Sequence, residues 1–209
     1  AGSQRPRAVP AARKGKKRKR AHVVGVATTR RGARALKSRE PALHEGVKRA
    51  LFVRGHATCA VVNDVLCDLN MLKKPDGVLL SRKNAVLPFD DVSSLEFLAE
   101  KNDAALFALG SHTKKRPNNV VLGRFYEYRL LDMFELGVSN YVGTHAFASA
   151  VQPAVGSRPL VVFIGAPWER DARLDRLRNV LVDMLRGDTS GAALSLKGID
   201  HVVVVSVDD

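Results

Sequence analysis

The chain has 209 residues and a formal charge of +13 at pH 7. Residues 1–40 hold 14 basic residues and one acid, Glu40, whereas residues 41–209 hold 20 of each sign, so the excess sits in the first fifth of the chain. That asymmetry describes a basic arm on a neutral body, and such arms meet nucleic acid or an anionic membrane.

At 45% apolar residues overall, the body can bury a core in one domain or two small halves, which excludes disorder there. No apolar run approaches the roughly 18 residues of a membrane span. The longest, PLVVFIGA (159–166) and HVVVVSV (201–207), read as buried strands. HVVGVATT (22–29) is too short for a secretory h-region, is broken by Gly25 and runs into Arg30 and Arg31. Residues 1–39 lack acids and are rich in Arg and Ala, as transit peptides are, but the block RKGKKRKR (13–20) fits a nuclear signal or an RNA-binding arm better. Cys59 and Cys67 lie eight apart on a helical pattern, about 12 Å along the axis, too far to bridge. They read as reduced, buried thiols of an intracellular protein. With no CxxC, HxxxH or HExxH, no metal site is expected.

Residues 1–47 read as an extended arm, punctuated by Pro6, Pro10, Gly15, Gly25 and Gly32. RALFVRG (49–55) is a short strand. A helix follows from a Thr58 cap, with Val61, Val62, Val65, Leu66, Leu69 and Leu72 on one face, and residues 73–77 stop it. GVLLSRKN (77–84) is a second strand. Residues 88–102 hold a short helix with a capping box, Ser93 at the N-cap and Glu96 three residues on. AALFALG (104–110) is a third strand, followed by the basic loop SHTKKRPNN (111–119). VVLGRFYEYRLL (120–131) alternates as one long strand, and 132–138 read as a helical turn. Residues 139–157 form a connector low in charge. PLVVFIG (159–165) opens a second half, then a helix from Trp168 to Arg186 with a stripe of Leu174, Leu177, Leu181 and Leu185, stopped by Gly187. LSLKG (194–198) and the strand HVVVVSV close the chain. Strand, glycine turn and amphipathic helix occur at 49–72 and again at 159–186, so a duplication is plausible. Alternating strands and helices predict α/β layering around a mixed sheet.

The sequence offers no defensible catalytic set. The segment 110–119 lacks P-loop spacing, and no GxGxxG follows a strand. Asp90 and Asp91 read as solvated residues of a capping turn, His112 as a polar loop residue, and Trp168 as a packing anchor. The basic elements differ in kind. Lys114, Lys115 and Arg116 sit in a short loop before Pro117, and Lys and Arg neutralise phosphates and release counterions. Asn118 and Asn119 offer amides to sugars or base edges. A charge run is usually only a solvated face. Two basic elements on a neutral body nevertheless favour nucleic acid over membrane, since the arm lacks the apolar face of an interfacial helix.

Four stretches resemble the Brix-domain ribosome assembly proteins: 38–55, 72–84, 88–107 and above all GSHTKKRPNNVVLGRFYEYRLLDMFELGV (110–138). Looser matches follow in RPLVVFIGAPW (158–168), LRNVLVDMLRGD (177–188) and LSLKGIDHVVVVSV (194–207), so the likeness runs over about residues 37–207. The resemblance implies a Brix domain of two similar α/β halves, each like the anticodon-binding domain of class II aminoacyl-tRNA synthetases. It places the halves at 48–138 and 158–209 around the connector at 139–157. It also implies further strands and a basic tail past 207, so the second half is expected to be incomplete.

For function, the resemblance implies a non-enzymatic factor of the nucleolus, without cofactor, acting on the pre-60S particle. It implies an obligate pair with the regulator of ribosome synthesis protein, which together recruit the 5S rRNA and its two ribosomal proteins. The contacts expected with 5S and large-subunit rRNA are Lys114, Lys115 and Arg116. Lys83, Asn118, Asn119 and Arg124 are weaker candidates, and the arm residues Arg13, Lys14, Lys16, Lys17, Arg18, Lys19 and Arg20 thread along RNA. A permanent ribosomal protein fits the same physics. An RNA-modifying α/β enzyme with a basic targeting arm would need a cofactor loop and an acid/base pair.

Overall fold

A computed structural model describes residues 29–38, 47–147, 154–157, 159–186 and 201–208. The arm residues 13–20, Gly187 and the segment 194–198 lie outside the described residues. Residues 1–41 and 42–209 form separate units.

In the first unit, part of the arm expected to be extended is a helix, α1 (Arg30–Ser38). Thr29 starts it: its hydroxyl accepts from the Gly32 N–H at 3.1 Å and its carbonyl from the Ala33 N–H at 2.9 Å. Threonine is a favoured N-cap. The segment is amphipathic at helical period but short, strongly basic and interrupted by Gly32, which is why the sequence reading misses it.

The second unit begins with β1 (Ala50–Gly55), α2 (Ala60–Leu72), β2 (Gly77–Asn84), α3 (Ser93–Asn102) and β3 (Leu106–Ser111). The antiparallel pair β4 (Asn119–Tyr126) and β5 (Arg129–Gly137) follows. These strands form one sheet in the order β2-β1-β3-β4-β5, with β1 parallel to both β2 and β3. The chain moves one way across the sheet from β1 to β2 and the other way from β2 to β3. Right-handed crossovers therefore put α2 and α3 on opposite faces. Both faces are covered, so β1 reads as the unbroken apolar run ALFV, all four residues fully buried. Phe52 joins Val62 and Leu66 of α2 on one face, while Leu51 and Val53 join Leu95 and Ala99 of α3 on the other. Gly110 lets α2 lie against the end of β3: a Cβ there would come within 2.4 Å of Val62 Cγ1.

Later in the same unit come β6 (Leu160–Ile164), a short helix α4 (Pro167–Arg170), α5 (Ala172–Leu185) and β7 (Val202–Ser206). β6 and β7 pair in parallel, from Leu160 opposite Val202 to Ile164 opposite Ser206. Val180 and Met184 of α5 enter the core that α2 makes with the five-stranded sheet. The mixed α/β class read from the sequence is thus the class observed.

Five further sequence expectations are corrected. The long strand at 120–131 is a hairpin, and the helical turn at 132–138 is the body of β5. Its tip is Glu127-Tyr128, both at positive φ (48° and 63°), the geometry of a type I′ turn without the usual Asn-Gly signature. Ser93 is not the cap of α3. It is the first helical residue, and Asp91 accepts from its N–H (2.9 Å) and hydroxyl (2.6 Å). α2 begins after Cys59 with no side-chain cap, so Thr58 does not serve. The helix from 168 breaks at Asp171, which caps α5 by accepting from the Arg173 N–H at 2.7 Å. Trp168 is 3% exposed and packs edge-on to Phe163 at 5.1 Å between centroids, a packing anchor as expected.

Candidate nucleic-acid interface

β1, β2 and β3 are parallel, so their C-terminal ends share one edge of the sheet. β4 starts at that edge and β5 ends there, with Ser111 opposite Asn119 and Asn119 opposite Gly137. Segments 56–59, 85–92 and 112–118 therefore emerge side by side. The order reverses between β1 and β3, and α/β sheets bind ligands outside the strand ends at such a switch point.

The basic loop is held rigidly at this edge. The Thr113 N–H donates to the Arg116 carbonyl, and the Arg116 N–H returns to Thr113 Oγ1, both at 3.1 Å. Asn118 adopts φ 45°, and its carbonyl accepts from the Val138 N–H at 2.8 Å. Its side-chain oxygen accepts from the Cys59 thiol at 3.1 Å, and its own N–H donates to His112 Nδ1 at 3.1 Å. Asn119 is 6% exposed and donates its amide to Glu135 Oε1 at 2.7 Å. Both asparagines help build the loop, Asn118 through its side-chain oxygen and backbone and Asn119 through its buried amide.

Arg124 is likewise turned inward. It forms a two-pronged ion pair with Asp132 and reaches Asp183 of α5 at 3.1 Å. The hydrogen bonds with Asp132, followed by those with Asp183, outweigh burial and hold the guanidinium charge firmly. It ties α5 to the sheet.

The remaining candidates among the described residues are exposed at the edge. Lys114 and Lys115 are exposed and have no ion-pair partner among the described residues. Arg116 is exposed too, but Glu135 accepts from it at 2.9 Å, and its guanidinium lies 5.7 Å from the centre of the Phe89 ring. Lys83, also exposed, is in register with Arg54, which is in register with Gly110. Two inter-strand steps put Lys83 about 10 Å from the start of the basic loop. The sequence reading missed Phe89, 49% exposed. Its signal was a large aromatic inside the polar turn Pro88-Phe89-Asp90-Asp91 rather than on any apolar period.

A groove of about 450 Å³ opens between the end of β2 and the start of α3, lined by residues including Asn84, Val86, Ser93 and Phe97. None of its lining side chains titrates. The groups with displaced pKa values serve the architecture. Burial would push the Asp68 carboxyl up, but hydrogen bonds from Tyr141 and from the Thr144 N–H and hydroxyl bring it below its ordinary value. Burial pushes Lys73 down to about 8, where its ammonium caps α5 by donating to the Asp183 and Arg186 carbonyls (3.1 and 3.2 Å). No group of three or more His, Cys, Asp or Glu is placed to hold a metal among the described residues. No described helix is long and apolar enough to cross a membrane.

The chain is thus a parallel βαβ core extended by a hairpin and followed by a further strand–helix–strand unit, with a basic loop at the switch-point edge. The Brix domain matches residues 55–209, and the chain belongs to that family. Among its relatives is the ribosome production factor 2 homolog of Schizosaccharomyces pombe, 44% identical over 176 residues, covering 84% of this chain and 55% of that protein. The Homo sapiens ribosome production factor 2 homolog is 42% identical over 175 residues, covering 84% of this chain and 56% of its own length. The Arabidopsis thaliana homolog is 38% identical over 183 residues, covering 85% and 58%. The chain thus spans little more than half the length of these curated relatives. The crystal structure of a probable ribosomal biogenesis protein from Aeropyrum pernix K1 shares the fold, with a TM-score of 0.51 at 12% identity over 78% of this chain and 83% of that one.

Proposed function

We propose that this chain is a non-enzymatic ribosome assembly factor that binds rRNA through the switch-point edge of its five-stranded sheet. The observation that carries the reading is the pair Lys114–Lys115, exposed and unpaired among the described residues on a loop fixed by Asn118, His112 and Cys59. Membership of the Brix family and likeness to ribosome production factor 2 homologs support the same reading. Lys83 extends the footprint along the edge, and the arm residues 13–20 add sequence-independent RNA affinity. In the finer reading the factor acts in the nucleolus on the pre-60S particle. It pairs with the regulator of ribosome synthesis protein and brings in the 5S rRNA with its two ribosomal proteins.

The test replaces Lys114 and Lys115 by Ala and follows 5S rRNA binding against salt. Each lost phosphate contact lowers the slope of log affinity on log salt by about one unit, and an unchanged slope returns the loop to a solvated face. Sedimentation separates a factor from a permanent ribosomal protein. A factor travels with pre-60S particles, and a stoichiometric presence in polysomes would overturn that reading.

A further inference from the structure

We propose that Phe89 and Arg116 form a stacking site for one unpaired RNA base, beside phosphate contacts at Lys114 and Lys115. The inference rests on the RNA-binding reading above and adds a contact that distinguishes single-stranded from paired RNA.

Phe89 lies in the turn between β2 and α3, half-exposed and outside both buried clusters. Arg116 reaches it from the neighbouring loop, its guanidinium 5.7 Å from the ring centre. Two independent restraints hold the arginine: its backbone exchanges hydrogen bonds with Thr113, and its side chain donates to Glu135. Glu135 is fixed in turn by the Asn119 amide. An aromatic ring and a guanidinium plane set in place before the ligand arrives lose little freedom on binding. Bases splayed from single strands stack on just these two surfaces.

Charge complementarity selects the occupant. Glu135 compensates Arg116, which lies over the Phe89 ring, so the stacked and largely exposed pair carries little net charge. Lys114 and Lys115, two residues and one residue before Arg116, offer uncompensated charge. A guanidinium–aromatic stack next to free ammonium groups matches a nucleotide, base on one and phosphate on the other. The nearby Asp91 carboxylate is folded onto the Ser93 N–H and hydroxyl. Paired bases are stacked inside a duplex, so only an unpaired nucleotide can use the platform.

The test uses the full chain with a short single-stranded oligoadenylate and a duplex RNA, comparing Phe89→Ala, Phe89→Trp and the Lys114→Ala/Lys115→Ala pair. Stacking contributes about 1–3 kcal/mol per base, so Phe89→Ala weakens single-strand binding roughly tenfold, leaving its salt slope and the duplex affinity unchanged. Phe89→Trp retains affinity, and its fluorescence is quenched by the RNA while the buried Trp168 stays silent. If Phe89→Ala binds single strands as the parent does while the lysine pair still lowers the slope, stacking is overturned and the RNA-binding reading stands. An equal loss on duplex and single strand also overturns it. If neither variant changes binding, both readings fall together.

Discussion

Arg124 on β4 and Asp183 on α5 are 59 residues apart in sequence and meet at 3.1 Å. Through this contact α5 is fastened to the five-stranded sheet. The same aspartate accepts from Lys48 at 3.0 Å, and its carbonyl accepts from Lys73. One residue of α5 thus collects three cations from three separate places in the chain before it. Arg124, which as a sequence element looked like an extension of the basic loop, is part of this joint.

Arg124→Met would leave Asp132 and Asp183 partly buried without their shared cation. Breaking such a pair from one side costs about 3 kcal/mol, so the urea midpoint should fall markedly. The salt slope of RNA binding should not change. A lowered slope would show that Arg124 contacts phosphate after all. Combining it with Asp183→Asn in a double-mutant cycle should show strong coupling, because the two share one contact.

Lys73 gives a pH signature of opposite sign to that of an ordinary surface ion pair. Its folded pKa, about 8, lies below its ordinary value of 10.5. Between those values the unfolded chain holds a proton that the folded chain does not, so stability should rise with pH across that window. Below about pH 8 the lysine is charged in both states and adds no slope. Denaturation midpoints measured from pH 7 to 10.5 should show the rise in the parent chain, and Lys73→Met should remove that share of it.

Asp68 fastens the segment after β5 to α2. It accepts from the Tyr141 hydroxyl, the Thr144 N–H at 2.9 Å and the Thr144 hydroxyl at 2.8 Å. Its folded pKa is lowered, so this contribution is present above the ordinary value of 3.8 and is lost as pH falls through the folded value. Asp68→Asn should speed hydrogen exchange in residues 141–146 while α2 and the sheet keep their protection. Unchanged exchange there would show that other contacts hold the segment.

The hairpin tip offers a stabilising change. Glu127 sits at φ 48°, where an L-residue with a Cβ is disfavoured by about 1 kcal/mol or more. Its side chain is exposed, unlike that of Tyr128, whose hydroxyl donates to Asp103 at 2.8 Å. Glu127→Gly should therefore raise stability by about 1 kcal/mol, a few degrees in Tm. Tyr128→Gly should not, because it also removes the Asp103 contact.

Much of the architecture was legible from local pattern. The extent of β2, the positions of β1, β3, α2 and β6, and the charge split between arm and body follow from apolar period, glycine punctuation and composition. These depend on neighbours a few residues away, which is what a linear reading sees. The 120–131 run failed because alternation continues unbroken through a turn that uses Glu127 and Tyr128. Nothing local marks the reversal; β5 is specified by pairing with β4 and by Glu96, which accepts from Arg129 and the Leu130 N–H. Ser93 failed as a cap because the helix already starts at it: its N–H and hydroxyl both donate back to Asp91, and Glu96 is turned to Arg129 and Leu130. The candidate site divided in the same way. Residue type made Lys114, Lys115, Arg116, Asn118, Asn119 and Arg124 look alike as polar, RNA-seeking groups. Only the packed structure supplied the acids: Glu135 for Arg116 and Asn119, Asp132 and Asp183 for Arg124. A side chain's availability depends on partners brought from far along the chain, and that separates the lysines exposed on the edge from the residues that build it.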